Sequence, residues 1–98
     1  MQASYSGGLH CEVLHMPSQS QIETDAPKDN LGRGERFSPT DLMGAALVSC
    51  ILTTMAIVAE REGIHFVGVR ASVAKEMVSV PSRKVGSLNV QIYALFLW

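Results

Sequence analysis

Aromatic side chains are scarce in this 98-residue chain: three Phe, two Tyr and one Trp make up 6% of it, although 47% of the residues are hydrophobic. A core must therefore be assembled from Ala, Val, Leu, Ile and Met, which pack adaptably but bury less area apiece than rings. A chain of this length buries only about 60–70% of the surface its unfolded form exposes, so a partner subunit would add cover that one small domain lacks. An excess of one charge sign is lacking too. Eight basic and nine acidic residues leave a net charge of −1, which argues against the basic field that holds nucleic acid or an anionic membrane surface. Cysteine is limited to Cys11 and Cys50, 39 residues apart and without a C-x-x-C spacing. Neither a zinc ribbon nor a thioredoxin-type motif is written here, and a reduced, cytoplasmic setting is expected. The opening Met1-Gln2-Ala3-Ser4-Tyr5 has no basic region followed by an apolar run, so no secretory signal is expected.

Residues 9–15 (LHCEVLH) read as a short strand, and Ser20–Thr24 as its hairpin partner across Pro17-Ser18-Gln19. The stretch Asp25–Phe37 (DAPKDNLGRGERF) gathers Pro, Asn, Gly and charge and predicts a solvent-exposed loop. A helix start follows in Ser38-Pro39-Thr40-Asp41: an N-cap hydroxyl, Pro at the first helical position, and a carboxylate three residues after the cap, at the positive end of the helix dipole. From Leu42 to Ala59 there are eighteen residues without a charge, then Glu60-Arg61-Glu62 and the C-cap candidate Gly63. That run touches the lower length limit of a membrane span. Gly44, Ser49, Thr53 and Thr54 dilute it, so a buried core helix from Pro39 to Glu62, about 36 Å long, is expected and no membrane association. The period then changes to two. Val67, Val69, Ala71 and Val73 alternate with smaller or polar residues in a strand reaching about Met77, a turn follows at Pro81-Ser82-Arg83-Lys84, and Val85–Leu95 forms an antiparallel partner. The apolar Phe96-Leu97-Trp98 would leave a sticky strand terminus unless a partner covered it.

Cys50 lies about three turns into the predicted helix, where a thiol ordinarily packs as a small hydrophobe. A reactive thiol there gets no help from the helix N-terminus and needs a cation delivered from elsewhere, for which Arg33, Arg36 and Arg70 are the candidates. His10 and Cys11 point to opposite faces of their strand, while His15 shares the face of Cys11; one thiol and one imidazole do not make a metal site. No Ser-His-Asp order, phosphate-binding glycine loop or paired-carboxylate motif is present, and no cofactor is expected.

From Asn30 to Lys84 the chain resembles the OsmC/Ohr family, the osmotically induced protein C and organic hydroperoxide resistance proteins. The resemblance is carried by Phe37-Ser38-Pro39-Thr40-Asp41-Leu42-Met43-Gly44-Ala45-Ala46-Leu47-Val48-Ser49-Cys50, by Ala59-Glu60-Arg61-Glu62-Gly63-Ile64 and by the strand that follows. It implies an α+β fold with antiparallel strands around a long buried central helix, in an intertwined homodimer. It also implies thiol-dependent reduction of organic hydroperoxides, with Cys50 as the peroxidatic thiol and an activating Arg from the segment ahead of the helix, here Arg33 or Arg36. Two departures follow. The helix-start glutamate of the Ohr branch falls on Thr40. The family's resolving Cys in a Cys-Pro motif has no counterpart in the 48 residues after Cys50. Residues 1–98 are accordingly expected to form one OsmC-like domain that is C-terminally incomplete, reduced through Cys11 or an external thiol. The alternative expectation is a non-catalytic dimerisation or apolar-ligand-binding domain that lacks the redox pair.

Overall fold

The computed structural model describes residues 1–94. In chain order these form β1 (Gln2–Gly7), β2 (His10–His15), β3 (Ser20–Asp25), a short 3₁₀ turn (Lys28–Asn30), the helix α1 (Pro39–Arg61), β4 (Arg70–Val78) and β5 (Lys84–Tyr93). The strands make two antiparallel sheets, β1-β2-β3 and β4-β5, and the class is the expected α+β. Two compact units are separable, Met1–Leu42 and the part from Met43 onward.

In the first unit, β2 and β3 form the expected hairpin, with His10 opposite Asp25, Glu12 opposite Glu23 and His15 opposite Ser20. Its turn closes through Gln19 N–H donating to the His15 carbonyl at 2.8 Å, with Gln19 at φ 60°. β1 was not expected. Its sequence, QASYSG, has no apolar alternation and its side chains are exposed except at Gly7, so it is a strand through its ladder with β2 and not through burial. The hairpin signal was Gly8, which with Leu9 makes the two-residue turn at φ values of 61° and 58°, while Gly7 at φ 85° takes the irregularity beside it.

The segment read as an exposed loop from Asp25 differs at its first residue. Asp25 is the last residue of β3 and only 2% exposed. The loop itself is pinned by backbone: Asp25 N–H donates to the Phe37 carbonyl at 3.1 Å, Ala26 N–H to Leu9 at 3.0 Å and Gly34 N–H to Ala26 at 3.2 Å. Gly32 passes so close that a Cβ there would lie 1.7 Å from the Ala26 carbonyl oxygen. No other residue fits that crossing.

The helix begins as its sequence demands. Ser38, 1% exposed, accepts from Asp41 N–H at 3.1 Å, and Asp41 Oδ2 accepts from Ser38 N–H at 2.9 Å, a reciprocal capping box. It ends one residue earlier than expected, with Gly63 at φ 69° and Ile64 N–H returning to the Ala59 carbonyl at 2.8 Å.

In the second unit, Gly44 is where α1 meets the strands, since a Cβ there would touch Val73 at 3.4 Å and Leu88 at 3.7 Å. Only Gly44 and Ala59 of α1 are buried, and Met43, Leu47, Ile57 and Val58 are open. By length and composition alone α1 is apolar enough to cross a membrane, with a mean hydropathy of 2.2 over eighteen residues, of which 11% are buried. One chain thus leaves uncovered most of a helix whose sequence calls for cover. β4 starts at Arg70, not Val67, because Gly68 at φ 74° interrupts the extended chain and leaves Val67 73% exposed. Ala71, Val73, Lys75 and Met77 share the half-buried face, so a lysine occupies an inward position of the alternation. β5 pairs with β4 from Lys84 opposite Val78 to Tyr93 opposite Arg70. The predicted extension to Leu95 and the strand terminus Phe96-Leu97-Trp98 lie outside the described residues.

The capping box sets the first expected outcome. Ser38→Ala removes a buried cap and strands an amide, costing about 1–2 kcal/mol, seen in urea denaturation as a lower midpoint at unchanged slope. Ser38→Asp, which keeps an acceptor, should lose less; equal losses would mean that the hydroxyl's packing, not its hydrogen bond, is what counts.

Candidate active site

Cys50 lies midway along α1, and its free thiol is exposed. Burial as a small core hydrophobe, the ordinary fate of a mid-helix cysteine, is therefore not its state in this chain. Cys11 is also a free thiol, half-buried on β2. Thr40, where the Ohr branch carries its glutamate, has its hydroxyl 3.1 Å from that of Ser38, and the carboxylate of Asp41 is engaged by the Ser38 amide. Arg70 opens β4 on its exposed face.

Arg33 and Arg36 are brought together in the first compact unit. Both line a cleft of about 310 Å³ with His10, Glu23, Asp25 and Glu35, closed along β1 by Ser6 and Gly7. Arg36 Nε donates to Glu23 Oε2 at 3.4 Å, and its Nη1 donates to the Glu35 carbonyl at 3.4 Å. Arg33 lies over the β1–β2 turn, where a Cβ on Gly8 would come 3.0 Å from its Nη2, and its charge helps to hold Asp25 ionised.

The centre of this cleft was not anticipated. His10 Nδ1 lies 2.6 Å from Asp25 Oδ1 and its Nε2 3.2 Å from Glu23 Oε1, so one imidazole bridges two carboxylates on the neighbouring strand. The second oxygen of Asp25 accepts the Glu35 amide at 3.2 Å. The signal was present in the parity of the strands: His10 and Glu12 on one face of β2 sit opposite Asp25 and Glu23 on β3, a polar face where alternation would have put apolar residues had it faced a core.

His10, Glu12 and Glu23 offer donor atoms within 4.8 Å of one another, the kind of set that can hold a divalent ion. Glu23 is already matched by Arg36 and His10, and a network with its cations in place accounts for the arrangement without a metal. The Asp25 hydrogen bond, opposed by desolvation and reinforced by Glu23, raises His10 above the ordinary 6.5. Conversely, the His10 hydrogen bond lowers Asp25 below 3.8 against the effect of burial, aided by the Glu35 amide and Arg33. The sign follows from linkage. Asp25 contributes fully above about 3.8 and loses its share as pH falls through its lowered value. His10 contributes fully below about 6.5 and loses its share as pH rises through its raised value.

A proton NMR titration of the His10 ring should show a midpoint above 6.5, moved down by Asp25→Asn. A wild-type midpoint at or below that value would contradict the bridged geometry.

Comparison with known proteins places this architecture. The family model for OsmC-like proteins matches residues 32–94, well over half of the chain. A crystal structure from Psychrobacter arcticus 273-4, of a protein presented as osmotic stress induced and of the detoxification response, superposes with a TM-score of 0.87 at 42% identity. The match covers 93% of this chain and 66% of that one, so the chain spans just under two thirds of that relative's length. Comparison with curated proteins gives no match. The long helix with its capped start, the exposed Cys50 and the β4-β5 hairpin all fall within the matched region, and the chain belongs to the OsmC-like protein family.

Proposed function

We propose that the protein reduces organic hydroperoxides through Cys50, as part of a cytoplasmic oxidative stress response. The observation that carries this reading is an exposed thiol at the one helix position that the family resemblance makes peroxidatic. A relative presented as a detoxification response protein lends support. In this reading the Cys50 thiolate attacks the terminal oxygen of the hydroperoxide, an S–O bond forms, the O–O bond breaks, and sulfur gives up two electrons. The leaving alkoxide takes a proton to become the alcohol, and Cys50 is left as the sulfenic acid. A guanidinium from Arg33 or Arg36 stabilises both the thiolate and the developing alkoxide. A second thiol, Cys11 or an external reductant, then attacks the sulfenic sulfur, forming a disulfide and releasing water.

Homodimerisation is part of the proposal. The open apolar residues of α1 include Met43, Leu47, Ile57 and Val58, and burying ~400 Å² of such surface per chain contributes on the order of 10 kcal/mol before association entropy is subtracted. A second reading rests on a different observation. Thr54, Met55, Val58, Ala59, Ile64 and Phe66 line an almost wholly apolar cavity of about 310 Å³ at the end of α1, which would suit an apolar ligand in a non-catalytic member.

Two measurements test these readings. After stoichiometric cumene hydroperoxide with dimedone present, intact mass should show one adduct, lost in Cys50→Ser and kept in Cys11→Ser; identical behaviour of wild type and Cys50→Ser would leave only the non-catalytic reading. Sedimentation equilibrium over a hundredfold concentration range should give twice the 10.6 kDa chain mass, and a monomer throughout would remove the dimer.

A further inference from the structure

We propose that Asp25 is the positioning residue of the arginine-bearing loop, and that its partner His10 links the presentation of Arg33 and Arg36 to pH. This deepens the proposed function, since it rests on one of those arginines serving Cys50. The geometry belongs wholly to the first compact unit.

Asp25 is withdrawn from water and uses its two oxygens in different directions. Oδ1 takes His10 Nδ1 at 2.6 Å, which ties it to β2, and Oδ2 takes the Glu35 amide at 3.2 Å, which ties it to the loop between the two arginines. The same residue's own amide is bonded to the Phe37 carbonyl at 3.1 Å, so one residue of β3 fixes the loop at two points flanking Arg36. Glu23, two residues back on the same face of β3, holds the Arg36 side chain. In the same loop Gly32 crosses Ala26 so closely that no larger residue fits there.

The ionisable groups facing His10 can be named element by element. β2 contributes Glu12, β3 contributes Glu23 and Asp25, and the loop contributes Arg33, Glu35 and Arg36; β1 brings only Ser6 and Gly7 to the cleft. With His10 protonated, both ring nitrogens donate, one to Asp25 and one to Glu23. On losing a proton the ring keeps its donor toward the buried Asp25 and turns a lone pair toward Glu23 Oε1. Glu23 then loses a donor and faces a repulsive contact, so its grip on Arg36 must rearrange while Asp25 retains the Glu35 amide. Asp25 is thus the fixed anchor and Glu23 the proton-dependent one. The raised affinity of His10 for its proton puts this change above the ordinary 6.5.

The test uses the full chain. In wild-type protein the Arg36 Nε resonance should titrate with the same midpoint as the His10 ring, and the Glu35 amide should stay protected across that range. Asp25→Asn should speed exchange of the Glu35 amide about tenfold, the loss of a charge-assisted hydrogen bond, with the β2–β3 amides unchanged. Glu23→Gln, on a more exposed side chain, should abolish the titration of Arg36 Nε without affecting Glu35, and it covers the case of an Asp25 variant that fails to fold. An Arg36 signal that ignores the His10 titration, or a Glu35 amide as protected in Asp25→Asn as in wild type, overturns the proposal. The pH profile of Cys50 oxidation by cumene hydroperoxide separates the two claims. Loss of Glu35 protection with an unchanged profile upholds the positioning by Asp25 and overturns the role given to the arginines.

Discussion

A carboxylate withdrawn from water must be met by donors or positive charge, and Asp25 meets that requirement from two sides at once. The imidazole of His10 reaches it from β2 and the amide of Glu35 from the loop, with the charge of Arg33 close enough to favour ionisation. These partners come from separate stretches of sequence, so satisfying one buried group fixes where three segments lie. The loop's shape follows: its ends are closed at Asp25 and Phe37, its middle is threaded through a glycine-only crossing at Gly32, and its two arginines face into a single cleft. The capped start of α1 comes immediately after, with Ser38 buried next to the closed end.

α1 poses the opposite demand. Asp25 needs polar partners and has them, whereas the run from Leu42 to Ala59 needs apolar cover and receives little within the chain. A helix without a wet face is stable in water only inside something larger. The same openness leaves the Cys50 thiol reachable, which a peroxidatic role requires and a packing role does not. In the proposed dimer, cover by a second chain is therefore partial. A dimer that buried every face of α1 would also bury its thiol, so on the proposed reading the interface and the substrate divide the surface of one helix between them.

How much of this the sequence discloses depends on whether a residue's role is local. The capping box of Ser38 and Asp41, the left-handed Gly63 and the β4-β5 alternation are set by neighbours a few positions away, and they are legible with boundaries displaced by one to three residues. β1 escaped because its side chains make no burial pattern and its existence depends on pairing with β2. Asp25 was assigned to an exposed loop on composition alone, since Asp-Ala-Pro is ordinarily turn chemistry. Its burial depends on His10, fifteen residues earlier, a pairing that shows only when the parities of β2 and β3 are set side by side. Cys50 was legible as a candidate through its place after Ser38-Pro39, yet its exposure was not, because exposure is decided by how little of the chain packs on α1.

The thiol and the cations of the proposed reaction stand on elements with different physics. The thiol sits on a regular helix whose position is set by hydrophobic cover, and the cations sit on an irregular loop whose position is set by ion pairs and backbone hydrogen bonds. In the proposed dimer the first responds to concentration, through assembly. The second responds to pH and salt, because its anchors are charged and the side chains of Arg36 and Glu23 are 54% and 39% exposed. An activity needing both parts would inherit both sensitivities, and they are separable: dilution should act through α1 in the proposed dimer, while pH rising through the raised value of His10 should act through His10 and Glu23 at any concentration.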